Sequence, residues 1–179
     1  MPASFEILPA TPTDAAALSV LVNSAYRGEG SKKGWTTEAD LLGGQRTDEA
    51  TLREMISAAG NTILKYLDEK GQPAGCVYLQ QKEDRLYLGM LTVSPALQAK
   101  GIGKQLLKAA ETYAEAHGCT AITMTVISVR HELIAWYERH GYRFTGERKP
   151  FPADAAFGLP KQDLEFIVME KPLAGGPVA

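Results

Sequence analysis

The sequence predicts a mixed α/β fold, with a mostly antiparallel central sheet and helices on both faces. Three observations carry this expectation. Segments of two-residue and of 3.6-residue hydrophobic period follow one another in the order β–α–α–β–β–β–α–β–α–β–β. The chain has 179 residues, a length that suits one domain with a sizeable core. Hydrophobic residues make up 45% and charged residues 22%, ordinary values for a globular protein. The expected organisation is a single domain over residues 1–173 and a frayed tail over 174–179.

Each element has a local reason. Residues 4–8 read as a first strand. Thr11, Pro12 and Asp14 form a helix start: a threonine cap, a proline at the first helical position and an acid three residues after the cap. That helix runs to residue 26. Residues 27–34 are glycine-rich and charged, hence a loop, and residues 37–40 offer another capped start for a single turn. Residues 47–59 make a second helix, closed by Gly60. A meander follows: 62–67 alternates, 70–73 turns, 75–80 returns, and Glu83 and Asp84 turn the chain into 85–93. The helix over 101–117 puts Ile102, Leu106, Ala109, Ala110, Tyr113 and His117 on one face, and Gly118 ends it. Ile122, Met124 and Val126 alternate within a strand over 120–127. Residues 131–140 are helical up to Gly141, and 142–147 and 164–169 supply the last two strands.

Charge and composition narrow the function. The net charge of −2 argues against nucleic acid or an anionic membrane as the main partner. No apolar run approaches the ~20 residues of a membrane helix, and no basic segment followed by an apolar one opens the chain. A cytoplasmic location is therefore expected. Cys76 and Cys119 lack CxxC spacing and read as reduced, buried thiols. His117, His131 and His140 lack metal-ligand spacing, so no metal is expected.

The most informative run joins the strand 86–93 to the helix that follows, through Gln98-Ala99-Lys100-Gly101-Ile102-Gly103. A strand, a glycine loop and a helix N-terminus make an anion site, because the first helical N–H groups have no helical acceptor and the helix dipole adds positive charge. Gly101 and Gly103 let a pyrophosphate approach those N–H groups. The run lacks the third glycine and the later acid of a dinucleotide fingerprint. It is not a phosphate loop of the nucleotide hydrolases either, since Gln105 rather than Ser or Thr follows Lys104.

The run instead resembles the Gln/Arg-x-x-Gly-x-Gly/Ala signature of the GCN5-related N-acetyltransferases. Residues 135–142, Ala-Trp-Tyr-Glu-Arg-His-Gly-Tyr, resemble that family's second signature. The two together cover roughly residues 85–147, and they imply the acyl-CoA N-acyltransferase fold with acetyl-CoA as co-substrate. By this resemblance Gln98, Ala99, Lys100, Gly101, Ile102, Gly103 and Lys104 grip the pyrophosphate. The backbone of Leu91, Thr92 and Val93 lies along the pantetheine arm like an added strand. Tyr137 is the general acid for the leaving thiolate; a plain core aromatic is the alternative for it. Many relatives carry Asn seven residues before that tyrosine. Here the position is Arg130, which is assigned to the cofactor side without the role of the Asn.

The acceptor side is less defined. Relatives often use a glutamate on the strand before the glycine loop as general base, whereas residues 85–91 contain no carboxylate. Glu38, Asp40 and Glu83, or Tyr87 acting through water, are the candidates. Arg27, Lys32, Lys33 and Arg46 offer a partner to an anionic group, and Trp35 an apolar face. Phe151 and Phe157 lie in an irregular stretch that offers a second acceptor wall or a homodimer surface. The implied activity is acetyl transfer to a primary amine, of a small molecule, by direct attack in a ternary complex. No cysteine lies near either signature to carry the acyl group. A non-catalytic acyl-CoA-binding module and transfer of a longer acyl chain are the rival readings.

Overall fold

A computed structural model describes residues 6–26, 42–43, 47–97, 101–150, 159–160 and 164–173. The strands are β1 (Glu6–Pro9), β2 (Leu42–Gly43), β3 (Asn61–Leu67), β4 (Pro73–Lys82), β5 (Arg85–Val93), β6 (Ala121–Ile127), β7 (Arg143–Pro150), β8 (Leu159–Pro160) and β9 (Glu165–Pro172). The helices are α1 (Ala15–Tyr26), α2 (Glu49–Ser57), α3 (Ile102–Ala116) and α4 (His131–Arg139). Seven strands form one sheet in the order β1-β3-β4-β5-β6-β9-β7, and β2 pairs with β8 separately. Every neighbouring pair in the large sheet is antiparallel except β5 with β6. The mixed, mostly antiparallel sheet expected from the sequence is the one observed.

The sheet carries a separate core on each face. On one, Ile102, Leu106, Leu107, Ala110 and Ala114 of α3 and Tyr137 of α4 pack with Leu79, Leu86, Leu88, Ile122, Met124 and Met169. On the other, Ala15, Leu18, Leu21 and Val22 of α1 and Leu52 of α2 pack with Ile63, Cys76 and Met90. The α3 stripe is wider than the one read from sequence. Leu107 and Ala114 are buried too, whereas His117 is exposed and stacks on Tyr113 at 4.0 Å. Gly75 lets β4 approach both β5 and α3: a Cβ there would lie 2.8 Å from the Thr92 carbonyl oxygen and 3.1 Å from Ile102 and Leu106.

The helix starts show how side chains settle the ends. Ahead of α1, the Thr11 N–H donates to the Asp14 carboxylate at 2.8 Å, and both Asp14 oxygens accept from Lys65 at 3.0 Å. The expected cap is present, with residues 12–14 wound as a 3-10 turn. Burial pushes the Asp14 carboxyl up, but the Thr11 N–H, the Lys65 ammonium and the Thr11 hydroxyl together outweigh it and leave it below the usual carboxylate range.

The second helix starts two residues later than expected. Asp48 is its cap, accepting from the Thr51 N–H at 2.7 Å. Thr47 instead exchanges two backbone hydrogen bonds with the Asn23 amide, at 2.8 and 3.1 Å, tying the start of α2 to α1. The last strands shift as well: β7 begins at Arg143 and runs to Pro150, leaving Tyr142 in the core just before it. Among the described residues no helix is long and apolar enough to cross a membrane.

Candidate active site

The site begins where the sheet stops being continuous. β5 and β6 pair in parallel only at Arg85↔Ala121, Leu86↔Ile122 and Tyr87↔Thr123. Beyond that point β5 runs on to Val93 along β4, and β6 runs on to Ile127 along β9. The β5–β6 ladder therefore ends halfway along both strands. The Tyr87 hydroxyl shares a 3.2 Å hydrogen bond with the Thr125 hydroxyl across the point of separation.

A β-bulge sits in β5 just past this point. Tyr78 pairs with Gly89 and Cys76 with Thr92, so Met90 and Leu91 together oppose one residue of β4. Met90 takes a left-handed backbone conformation with φ of 52°, uncommon for a side chain of its size. The extra residue changes which way side chains point. Leu86 and Leu88 face α3, Met90 enters the α1 core, and Leu91 and Val93 return to the α3 face. The Thr92 hydroxyl, 1% exposed, donates to the Met90 carbonyl at 2.9 Å and clasps the bulge. Simple alternation along β5 does not foretell this change of side.

The α3 N-terminus lies after β5 through a 3-10 turn, Pro95–Leu97. Gly101 caps the helix with φ of 80°, and its carbonyl accepts from the Gln105 N–H at 3.0 Å. A Cβ at Gly101 would meet no described atom within 4 Å, so the backbone angle accounts for this glycine. Gly103 is glycine for another reason: a Cβ there would lie 3.3 Å from the Trp136 ring. Lys104 is exposed beside it. Gln98, Ala99 and Lys100 lie outside the described residues.

On α4, Tyr137 is 5% exposed and makes edge-to-face contacts with Trp136 at 5.2 Å and Tyr142 at 5.7 Å. Arg130 caps the same helix and is 9% exposed, unusual burial for an arginine. Tyr142 is 1% exposed, its hydroxyl has no hydrogen-bond partner, and burial followed by the charge of Glu111 pushes its phenol strongly up. Glu111 pairs with Lys171 close by.

On the opposite face, Tyr78 and Tyr87 meet edge to face at 6.3 Å over Gly89. Burial and its neighbour Tyr87 raise the Tyr78 phenol. Tyr78 and Thr125 were not singled out in the sequence, because a tyrosine and a threonine in alternating strands look like ordinary strand residues.

Arg27, Lys32, Lys33, Trp35, Glu38, Asp40, Arg46, Phe151 and Phe157 lie outside the described residues. Glu83 is among the described residues. It sits in the β4–β5 turn, five residues before Leu88 and so roughly 16 Å away along an extended strand. Both cysteines are buried, and burial pushes the Cys119 thiol up. Among the described residues no group of His, Cys, Asp and Glu is placed to hold a metal ion.

An interrupted parallel pair, a bulged β5 and a glycine-capped helix following it suit an acyl-CoA transferase type of fold. A sequence model described as the acetyltransferase (GNAT) family matches residues 35–142, and the chain belongs to that family. The spermine/spermidine N(1)-acetyltransferase of Bacillus subtilis (strain 168) is 33% identical over 67 residues, 37% of this chain and 44% of that protein. The match thus spans less than half the length of this curated relative. Among solved structures, the Escherichia coli ribosomal-protein-S18-alanine N-acetyltransferase superposes with a TM-score of 0.71 at 18% identity, over 98% of this chain and 99% of that one. A Salmonella typhimurium protein solved with its cofactor acetyl-CoA gives a TM-score of 0.68 at 20% identity, over 97% and 96%. These likenesses establish the fold.

Proposed function

We propose that this protein is an acetyl-CoA-dependent N-acetyltransferase acting on the primary amine of a small molecule by direct attack in a ternary complex. The observation that carries the proposal is the ladder ending at Tyr87↔Thr123 beside a bulge, with the glycine-capped start of α3 beyond it. The residues present fit acetyl-CoA. The N–H groups of Ile102, Gly103 and Lys104 suit its pyrophosphate, with Gln98, Ala99 and Lys100 completing the loop. The backbone of Leu91, Thr92 and Val93 suits its pantetheine arm, and Arg130 adds charge at the start of α4. When bound, acetyl-CoA supplies a thioester carbonyl with a good leaving group.

The chain supplies the rest. N–H groups at the end of β5 orient and stabilise the carbonyl oxygen as charge develops on it, an effect worth about 3–4 kcal/mol for comparable donors. Tyr137 donates its phenolic proton to the departing sulfur. Its burial excludes water from that proton transfer. Tyr87 receives the acceptor, with Arg27, Trp35 and Glu38 as the further residues assigned to it. An amine must reach the carbonyl unprotonated, and Tyr87 relays its proton through water. The match to the polyamine enzyme keeps a polyamine-like acceptor in view, beside an acceptor carrying an anionic group for the basic residues 27–46.

One feature favours the second reading, a non-catalytic acyl-CoA-binding module: β5 carries no carboxylate to act as base. Two measurements separate the readings. Saturating acetyl-CoA should raise the thermal midpoint where NAD does not, by an amount corresponding to about 2.7 kcal/mol at 100 times Kd. Thiol release with spermidine and with an acidic amino acid as acceptors should then reveal turnover. Tyr137→Phe should lower that turnover by a factor of about 10² to 10⁴ while leaving acetyl-CoA affinity intact. No midpoint shift at millimolar acetyl-CoA would sink both readings. A shift without turnover for any amine would leave the binding module.

A further inference from the structure

Position 103 and Trp136 meet where the cofactor end of the site joins the helix carrying Tyr137. A Cβ on Gly103 would lie 3.3 Å from both Cη2 and Cζ2 of Trp136, and 3.7 Å from Val93 Cγ2. That spacing is tighter than ordinary van der Waals contact, so a side chain at 103 fits only if the indole yields. The indole has little room to yield. Its other surroundings include the Tyr137 ring at 5.2 Å and the His140 ring at 4.3 Å. His140 is itself fixed, its Nδ1 donating to the Trp136 carbonyl at 2.8 Å. Trp136 is also only half-buried, so it is not simply bulk in the middle of the core.

We propose that Trp136 is a positioning residue: its indole sets the distance between the first turn of α3 and α4, and in this chain it restricts position 103 to glycine. The inference rests on the acetyl-CoA reading of the site. The family signature that residues 98–103 resemble accepts either glycine or alanine at its last position. The choice of glycine here follows from the neighbour across the gap. A rigid two-ring plate held between the pyrophosphate-binding turn and the Tyr137 ring, 5.2 Å away, fixes both ends of the cofactor relative to each other. A smaller ring would free position 103 and loosen that distance.

A double-mutant cycle tests this, with acetyl-CoA and free coenzyme A affinities measured by calorimetry. Gly103→Ala should weaken both ligands about tenfold or more, because the altered turn holds the pyrophosphate they share. Adding Trp136→Phe to Gly103→Ala should recover most of that loss, since the phenyl ring lacks the outer edge that the new methyl meets. A second measurement leaves position 103 and Trp136 unchanged. The chain has two tryptophans, so Trp35→Phe leaves Trp136 as the sole indole, and its emission should change when acetyl-CoA saturates the site. Three results would overturn the inference: Gly103→Ala binding as tightly as the wild type, no recovery in the double variant, or saturation without change in Trp136 emission. Failure of the wild type to bind acetyl-CoA would instead remove the functional reading itself, and this inference with it.

Discussion

The two faces of the sheet do different work by different means. On the α3 face the proposed cofactor contacts are backbone groups and glycines: the helix start at Gly101, the close approach at Gly103 and the end of β5. On the α1 face the proposed acceptor side is lined by side chains: Tyr78 and Tyr87 over Gly89, with Thr125 across the gap. A backbone site needs residues that leave room, and those residues stand out in a sequence. A side-chain site uses residues that any strand can carry. The lesson is that the glycine-built half of the proposed site announces itself, while the half proposed to receive the acceptor must be seen folded.

Core truncations probe the comparison most strongly. Leu106 on α3 and Leu18 on α1 are both 0% exposed. Replacing either by alanine should cost about 2–5 kcal/mol in denaturant unfolding. The two should part in their ligand response. Leu18→Ala should keep the full acetyl-CoA midpoint shift, whereas Leu106→Ala, four residues from the helix start, should shrink it. Equal shifts in both variants would mean that the α3 turn holds its shape without its core contacts.

A smaller effect separates the faces by pH. Asp14 ties α1 to β3 through Lys65, at under a fifth exposure for both side chains. Its folded carboxyl titrates below the ordinary 3.8. The stability it contributes is therefore fully present above that value and lost as pH falls through the lowered one. Asp14→Asn should cost about 1 kcal/mol at neutral pH, with the gap from the wild type closing in acid. A gap independent of pH between 6 and 2 would show that the carboxylate charge contributes nothing.

The smallest expected effect lies on the α4 side. Tyr142→Phe removes a buried hydroxyl that has no partner and keeps the ring against Tyr137. The variant should match the wild type or exceed it by up to about 1 kcal/mol. A clear loss in thermal unfolding would mean that a buried water satisfies the hydroxyl and belongs to the structure.

Much of this was legible in the sequence. The element order, the mixed sheet, the α3 stripe around Ile102 and Leu106, and the Gly101 helix start all follow from period and composition. The misreadings have local causes. Thr47 and Asp48 can each cap a helix, and the Asn23 amide, 24 residues away, takes the first and leaves the second to α2. Glu83 lies in the turn before β5, whereas the bulge lies toward that strand's other end. The pairing of Trp136 with Gly103 joins residues on different helices, so neither residue's neighbours in the chain point to it.

The bulge at Met90 gives β5 a phase as well as a length. Up to Gly89 even-numbered residues face α3; from Met90 onward odd-numbered ones do. The strand therefore responds to deletion in an unusual way. Losing one residue at the bulge would restore a regular ladder and a perfect alternation. It would leave Leu91 and Val93 on the α3 side, in step with Leu86 and Leu88, but take Met90 out of the α1 core. A shorter, better-formed strand would keep one face and give up a contact on the other, so the extra residue lets β5 serve both cores at neighbouring positions.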